Sequence, residues 1–480
     1  MSQVGDIRQI IEESRRQRKE AFEIVKANPR LRPYLEAIKK ARPKISDKML
    51  EDTAICMENT RQWMRSLNET TKSSSIGNFI HHGFELIAAV MPNLLAHEYV
   101  SVQPMTRRVG ELFFLDYKYG TTKGNITAGT TLFGWQQAGQ GGEQYYSSPK
   151  VRNELVGTGN GSTKHYEYTL NTIPVDSLVS ITDGVEIFTD ATKSGTLTGD
   201  KTGTGSIDYD TGEVVLDFHS NVVNLTPIYA NYDLNFENNP DNIPEVNLEV
   251  SGVTVTAEEK KLRAIYTLDA AYDMEQSHGR SVDADLSNAL SSTVRAEIDA
   301  KIFAELYAGA HEAITTWNRN TPLGVNWRDH KFSLISTIKA ASNQILKNTR
   351  RVEGNFIVAG VDVCTVIEDL EGRFRRTAAK AMPGPHLIGT LDDMPVVKNP
   401  YFSDKTFLVG YKGDSMVDTG YIYAPYMPLY ATPKVTLDDF KTRQGMGTRF
   451  ATYLVNRRMY IRGAISGDNV PTPYTITEQT

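Results

Sequence analysis

Residues 281–307 read SVDADLSNALSSTVRAEIDAKIFAELY, and their apolar side chains recur at every fourth position. This spacing places those side chains on one face of a helix. Ser281 can cap the helix, and Asp283 and Asp285 suit the positive end of its dipole. At about 1.5 Å per residue the helix would span about 40 Å, so the pattern predicts a long spine. The residues expected to pack this spine helix onto a core are Leu286, Leu290, Val294, Ile298 and Ile302.

The sequence that follows the spine helix is typical of a small α/β domain. A helix is predicted over 331–347 and a buried strand over 355–360, which reads NFIVAG. Farther along, YIYAPYMPLY (421–430) predicts a strand with alternating tyrosines, which Pro425 and Pro428 then redirect. Aromatic rows of this kind pack in cores or interfaces more often than they hold a cofactor. We therefore interpret this stretch as a structural junction.

Residues 120–245 are rich in glycine, threonine, asparagine and aspartate around short alternating apolar runs, which predicts a β-rich module. Within it, GDKTGTGSIDYDTGEVVLDF (199–218) contains the residue types of a phosphate or calcium loop. It fits neither template, because strands rather than a helix follow its glycines and His219 stands where a calcium loop needs glutamate. The stretch does fit a β-hairpin with strands over 206–209 and 213–218.

The N-terminal segment is basic, although the whole chain has a net charge of −6. Residues 1–48 contain 13 Lys/Arg against 7 Asp/Glu. An amphipathic helix is predicted over 1–28 and a second one from Ser46 to Met64, with prolines between them. Such short helices cannot form a core of their own, so we predict an arm that needs a partner surface. The charge indicates an acidic partner, although a solvated helix face explains it equally well.

No stretch combines the residues of a catalytic or metal site at the required spacing. HEAIT (311–315) has threonine in place of the second zinc-binding histidine, and GDSMV (413–417) lacks the last glycine of a nucleophile elbow. Cys56 and Cys364 have no ligand spacing and are expected to be small core residues in a reducing cytoplasm. No apolar run is long enough to span a membrane. We therefore expect no enzymatic activity, no catalytic or metal-binding residues and no cofactor.

Four segments, in this order, carry a resemblance to a known family. They are SVQPMTRRVGELFFLDYKYG (101–120), TVTAEEKKLRAIYTLDAAYDMEQSHGRSVDADLSNALSSTVRAEID (254–299), FLVGYKGDSMVDTGYIYAPYMPL (407–429) and FKTRQGMGTRF (440–450). Together they resemble the major capsid proteins of contractile-tailed, T-even-type (myovirus) bacteriophages. The resemblance implies the α+β, Hong Kong 97-type capsid fold, in which an N-terminal arm and an E-loop accompany a P-domain and an A-domain. Residues 168–236 have no counterpart in that family and resemble a β-sandwich module of other virion proteins.

The resemblance also implies a domain organisation for this chain. We expect an N-terminal helical arm over 1–75 and the start of the P-domain over 76–120. An E-loop should follow over 121–262 and carry an inserted β-sandwich-like module at about 165–236. The rest should be a P-domain with the spine helix over 263–330, an A-domain over 331–425, and P-domain strands and a tail over 426–480.

The function that the resemblance implies is that of a major capsid protein, located in the virion and assembled in the host bacterial cytoplasm. Its copies would form the hexamers and pentamers of an icosahedral-type head around double-stranded DNA. The expected partners are other copies of the chain, portal, scaffold and decoration or vertex proteins, and DNA bound without sequence specificity, with no membrane. Arg15, Arg16, Arg18 and Lys19 of the arm would contact either DNA phosphates or acidic patches on adjacent subunits. The alternatives are an encapsulin-like compartment shell and a calcium-binding or adhesive β-module virion protein.

Overall fold

The structure is a computed structural model. It describes Arg16, Lys19, Glu20 and Met91 and residues 22–29, 31–42, 45–70, 94–130, 146–279, 282–349, 351–377, 384–413, 418–432, 435–436 and 441–467. The predicted helix over 1–28 lies mostly outside these residues, although 22–27 are helical.

The described residues form helices and strands in an α+β arrangement, which confirms the expected fold class. The helices are α1 (Arg32–Ala41), α2 (Asp47–Thr70), α3 (Ala96–Tyr99), α4 (Leu268–His278), α5 (Val282–Gly309), α6 (Trp327–Thr349) and α7 (Val361–Glu368). The strands are β1 (Ser101–Val102), β2 (Val109–Tyr119), β3 (Lys150–Thr158), β4 (His165–Thr169), β5 (Ser177–Thr182), β6 (Ile187–Thr189), β7 (Thr196–Gly199), β8 (Thr204–Ile207), β9 (Glu213–Asp217), β10 (Pro227–Asp233), β11 (Val246–Thr256), β12 (Glu258–Thr267), β13 (His311–Asn318), β14 (Phe356–Ala359), β15 (Phe374–Arg376), β16 (His386–Leu391), β17 (Met394–Lys398), β18 (Thr406–Gly410), β19 (Tyr421–Ala431), β20 (Val435–Thr436), β21 (Lys441–Leu454) and β22 (Tyr460–Ser466).

The chain divides into two units. The first contains the described residues of 1–114, 252–346 and 352–480, and the second those of 115–251 and 347–351. The first unit holds a five-stranded sheet in the order β1-β19-β21-β12, with β20 beside β21. It also holds a seven-stranded sheet in the order β13-β22-β18-β14-β17-β16-β15.

The spine helix predicted over 281–307 is α5, and it lies against one face of the five-stranded sheet. Ile298 and Ile302 of α5 share a buried cluster with Tyr423 of β19 and Phe450 of β21. The other face of the sheet buries Ile422 and Ala424 in a separate cluster. Consecutive residues of β19 thus point to opposite faces, and both faces are covered.

The seven-stranded sheet is also buried on both faces, which explains the uninterrupted apolar sequence of β14. Ile357 and Ala359 face α6 and α7, whereas Phe356 and Val358 face the cluster around α5. Cys364 of α7 lies on the helical side and, like Cys56 of α2, is a buried free cysteine. Both cysteines are therefore the core residues that the sequence predicted.

Strand β19 differs from its prediction, because it continues through Pro425 and Pro428 instead of turning. Its pairing with β21 shifts register between Pro425 and Met427 and again between Met427 and Tyr430. On the other side, β1 pairs with β19 only at Ile422 and Tyr423. Both prolines therefore lie where the ladder is interrupted or unpaired, and proline is tolerated at such positions.

The N-terminal helices also differ from the expectation of an arm that needs a partner surface. Val25, Leu35 and Ile38 are buried in the same cluster as the spine helix, together with Leu50 and Met57 of α2. Helix α2 begins as predicted, with the Met49 amide 3.3 Å from the Ser46 hydroxyl, but it extends past Met64 to Thr70. These apolar stripes therefore find their partner surface within their own chain.

The second unit contains an eight-stranded sheet in the order β3-β10-β5-β6-β7-β8-β9-β4, around a core of its own. Strand β3 begins at Lys150, before the expected start of the module at about 165, and pairs with β10. The β8–β9 hairpin is the one predicted from the glycine-rich stretch, with its first strand ending at Ile207 rather than 209. Gly212 closes its turn at φ 70°, a conformation that favours glycine.

Candidate interaction surfaces

The five spine-helix residues singled out in the sequence differ in burial. Val294, Ile298 and Ile302 are buried in the main core, and Leu290 is half-buried and packs against it. Leu286 is half-buried and lies outside that cluster. The N-terminal part of α5 therefore retains apolar surface that its own chain covers only in part.

Polar contacts attach the spine helix to the sheet below it. Lys301 of α5 forms an ion pair with Glu258 of β12 at 2.5 Å, and its ammonium lies 5.1 Å from the centre of the Phe450 ring. The Tyr421 hydroxyl donates a hydrogen bond to Glu305 over 2.5 Å. The bond from Lys301 lowers the pKa of the Glu258 carboxyl. These groups hold α5 against the sheet, and no local pattern in the sequence indicates the pairing.

A second polar group links β12, β19 and β21. Glu259 accepts a hydrogen bond from the Tyr430 hydroxyl at 2.6 Å and from the Arg449 guanidinium at 2.6 and 3.0 Å. These bonds, that from Tyr430 most of all, lower the pKa of Glu259 to about 2. The carboxylate therefore stays charged well below neutral pH and joins three strands of one sheet.

Helix α2 is held by a buried amide that sequence reasoning missed. The side-chain nitrogen of Asn59 donates to the carbonyl of Met105 at 2.8 Å and to that of Tyr426 at 2.9 Å. Nearby, burial raises the pKa of the Cys56 thiol, so this cysteine is uncharged. A helix that fills two backbone acceptors in this way is an integral part of the fold.

Only two of the four basic arm residues proposed as contacts fall within the described chain. Arg16 lies 3.4 Å from Glu20, with both side chains largely exposed, and Lys19 is exposed. Arg15 and Arg18 lie outside the described residues. Three further basic residues of the N-terminal segment, Lys39, Lys40 and Lys48, are exposed as well.

Strands β2 and β11 form a two-stranded ribbon with uncovered apolar side chains. Val109 of β2 is 53% exposed, and Val246 and Leu248 of β11 are 49% and 44% exposed. A two-stranded ribbon is marginally stable without packing against another element. The ribbon is therefore a candidate surface for contact with another molecule.

The second unit buries a lysine near its start, at position 123. Lys123 is buried, and its ammonium donates to the carbonyl of Tyr146 at 2.9 Å and to that of Ser148. Burial lowers the pKa of Lys123 to about 8. This lysine therefore holds nearby backbone by hydrogen bonds.

Metal-ligating clusters and membrane-spanning helices are both absent from the described residues. In that part of the chain no group of three or more His, Cys, Asp or Glu side chains could hold a metal ion. Nor does any helix there have the length and apolar character needed to cross a membrane.

Comparison with known proteins gives one family over most of the chain. Residues 76–475 match the family model described as Major capsid protein Gp23. The major capsid protein of Enterobacteria phage T4 is 24% identical over 400 residues, which cover 75% of this chain and 74% of that protein. The major capsid protein of Vibrio phage KVP40 is 22% identical over 405 residues, which cover 76% of this chain and 74% of that protein.

Solved structures with partial similarity include phage capsids and an encapsulin. The capsid of Myoviridae phage XM1 matches with a TM-score of 0.32 and 8% identity, over 65% of this chain and 89% of that one. The SrpI encapsulin complex of Synechococcus elongatus PCC 7942 matches with a TM-score of 0.31 and 9% identity, over 46% of this chain and 77% of that chain. Scores this low carry no weight beside the sequence matches.

Proposed function

This chain belongs to the Gp23 family of major capsid proteins, and on that basis we propose that its copies form the hexamers and pentamers of an icosahedral-type phage head around double-stranded DNA. Family membership confirms the resemblance seen in the sequence and makes the protein a structural component of the virion capsid. The arm, E-loop, P-domain and A-domain boundaries of a Hong Kong 97-type subunit are part of the same proposal.

The family match carries the proposal, and the apolar side chains that stay exposed on the ribbon of β2 and β11 support it. Leu112 of β2 packs in a core cluster of the first unit, whereas Val246 and Leu248 of β11 stay exposed. A neighbouring copy in a shell would cover this exposed apolar surface. Closed shells repeat such contacts in every subunit, so modest individual contacts sum to a stable assembly. The role is structural, without catalysis.

Packaged DNA is the second proposed partner, met by the basic N-terminal segment without sequence readout. Exposed Arg16 and Lys19 support it, since phosphate neutralisation needs accessible cations. Acidic patches on adjacent subunits are the alternative partner for the same charges. Portal, scaffold and decoration or vertex proteins complete the proposed partners, and assembly would take place in the host bacterial cytoplasm.

The test is expression of the chain in bacteria, sedimentation of the lysate and negative-stain microscopy of the pelleted fraction. We expect closed or tubular shells with a hexagonal surface lattice. A folded protein that stays monomeric under these conditions would contradict the proposal. Small shells that enclose a protein cargo instead of DNA would favour the encapsulin-like alternative.

A further inference from the structure

Helix α4 has no fully buried side chain among those that the structure describes. Its largest apolar residues, Leu268 and Tyr272, are 43% and 66% exposed, and Ile265 at the end of β12 is 46% exposed. Leu268 and Tyr272 are four positions apart and therefore lie on one face of the helix. A helix of 11 residues is marginal in water unless such a face is packed. This face therefore needs a cover.

An acidic row runs beside the apolar one. Asp269 and Asp273 follow Leu268 and Tyr272 by one position each, so their row lies about 100° around the helix axis from the apolar row and flanks it. Both are exposed, and neither makes an ion pair within the described part of the chain. The surface formed by Leu268, Asp269, Tyr272 and Asp273, called here the α4 face, therefore fits a partner that offers positive charge beside apolar groups.

The chain carries a surface of that kind where α1 turns into α2. Lys39 and Lys40 lie in the last turn of α1, and Lys48 lies in the first turn of α2. All three are exposed and, as far as the described residues go, have no acidic partner. Ile45, between the two helices, is half-buried. Lys39, Lys40 and Lys48 are called here the basic corner.

We propose that the α4 face of one copy docks on the basic corner of a second copy in the assembled shell. The inference deepens the proposed self-assembly and rests on it. A contact between two different surfaces of the same chain links each copy to the next, as cyclic capsomers require. Complementary charges fix which surfaces meet, and Leu268 and Tyr272 supply the apolar area that the contact buries.

Charge reversal with rescue tests the contact. One variant carries Asp269→Lys with Asp273→Lys, a second carries Lys39→Glu with Lys40→Glu, and a third carries all four changes. Each of the first two places like charges opposite each other, so we expect the yield of sedimenting shells to fall about tenfold or more. The four-fold variant restores opposite charges across the contact and should recover most of the wild-type yield.

A matched control changes two acidic residues at an exposed turn of the module, Asp210→Lys with Glu213→Lys, and should assemble normally. Circular dichroism and thermal unfolding of the unassembled variants separate loss of docking from loss of folding. The α4 contact is overturned if either double variant gives a normal yield of shells, or if the quadruple variant does not recover the yield. In both cases the proposed function stands as long as the wild-type chain forms shells. A wild-type chain that forms no shells overturns both.

Discussion

At the scale of single residues, carboxylates that accept hydrogen bonds connect neighbouring strands and helices of the first unit. Glu259 is the clearest, because it accepts bonds from Tyr430 and Arg449 on two other strands. Its ordinary pKa is 4.5 and its pKa in the folded chain is about 2. A depressed carboxyl pKa contributes stability that is fully present above the ordinary value and is lost as the pH falls through the folded value.

Replacement of Glu259 by glutamine should therefore lower the thermal stability of the unassembled protein at pH 7. The difference from wild type should narrow as the pH falls from about 4.5 through about 2, because Glu259 becomes uncharged only below its folded pKa. Thermal unfolding followed by circular dichroism over this range measures it. Glu371→Gln, at an exposed pair with Arg328, is the control and should change stability little at any pH. A Glu259 difference that is independent of pH would contradict the assigned role.

The spine helix gives the residue-scale test of packing. Ile298 is fully buried in α5, whereas Thr293 of the same helix is exposed. Ile298→Asp places an unpaired charge in the core and should destabilise the chain by at least about 3 kcal/mol, with loss of shells. Thr293→Asp should stay within about 1 kcal/mol of wild type. Denaturant unfolding and shell yield measure both, and equal effects of the two changes would show that the buried face is wrongly assigned.

At the scale of elements, the eight-stranded sheet of the second unit has a hydrophobic core of its own. Its buried Glu154, on β3, accepts hydrogen bonds from the Tyr232 hydroxyl at 2.5 Å and from the Asn171 amide at 2.9 Å. Burial raises the pKa of Glu154. Strand β3 thus supplies the partner of a buried tyrosine on β10, which ties it to the module although the sequence bounds excluded it.

The module should therefore fold alone only when β3 is included. A fragment over 148–236 should unfold cooperatively, whereas one over 165–236 loses the β3 ladder and leaves the Tyr232 hydroxyl buried without Glu154, so it should be less stable by several kcal/mol or unfolded. Urea unfolding of the two fragments compares them. Equal stability of the two fragments would show that the module does not need β3 in order to fold.

An element can be predicted from the sequence when the pattern that specifies it lies within the element itself. The spine helix was predicted to within a few residues, because its repeat and its acidic first turn are local. The strand over 355–360 and the hairpin whose turn contains Gly212 were local in the same sense. The continuation of β19 through Pro425 depends instead on β21 and on the shortness of β1. No local pattern records such pairings.

At the scale of the whole molecule, the N-terminal segment combines buried apolar side chains with exposed basic ones. Its apolar side chains, such as Leu35 and Ile38, belong to the core of the first unit. Its basic side chains, such as Lys39, stay exposed. The sequence could predict this amphipathic division but not that the apolar face is covered by the same chain, because its partners on α5 and β19 lie hundreds of positions away.

This division predicts that charge and packing in the segment can be separated experimentally. Glutamine at positions Arg15, Arg16, Arg18 and Lys19 removes four cations and leaves the apolar face unchanged, so shells should form at the wild-type yield. If these residues meet DNA, filled heads should release DNA at lower salt, because each lost phosphate contact weakens binding and flattens its salt dependence. Ile38→Asp, the packing control, should abolish shells through the core. Unchanged DNA release with a reduced yield from the glutamine variant would instead assign the charges to acidic patches of adjacent subunits.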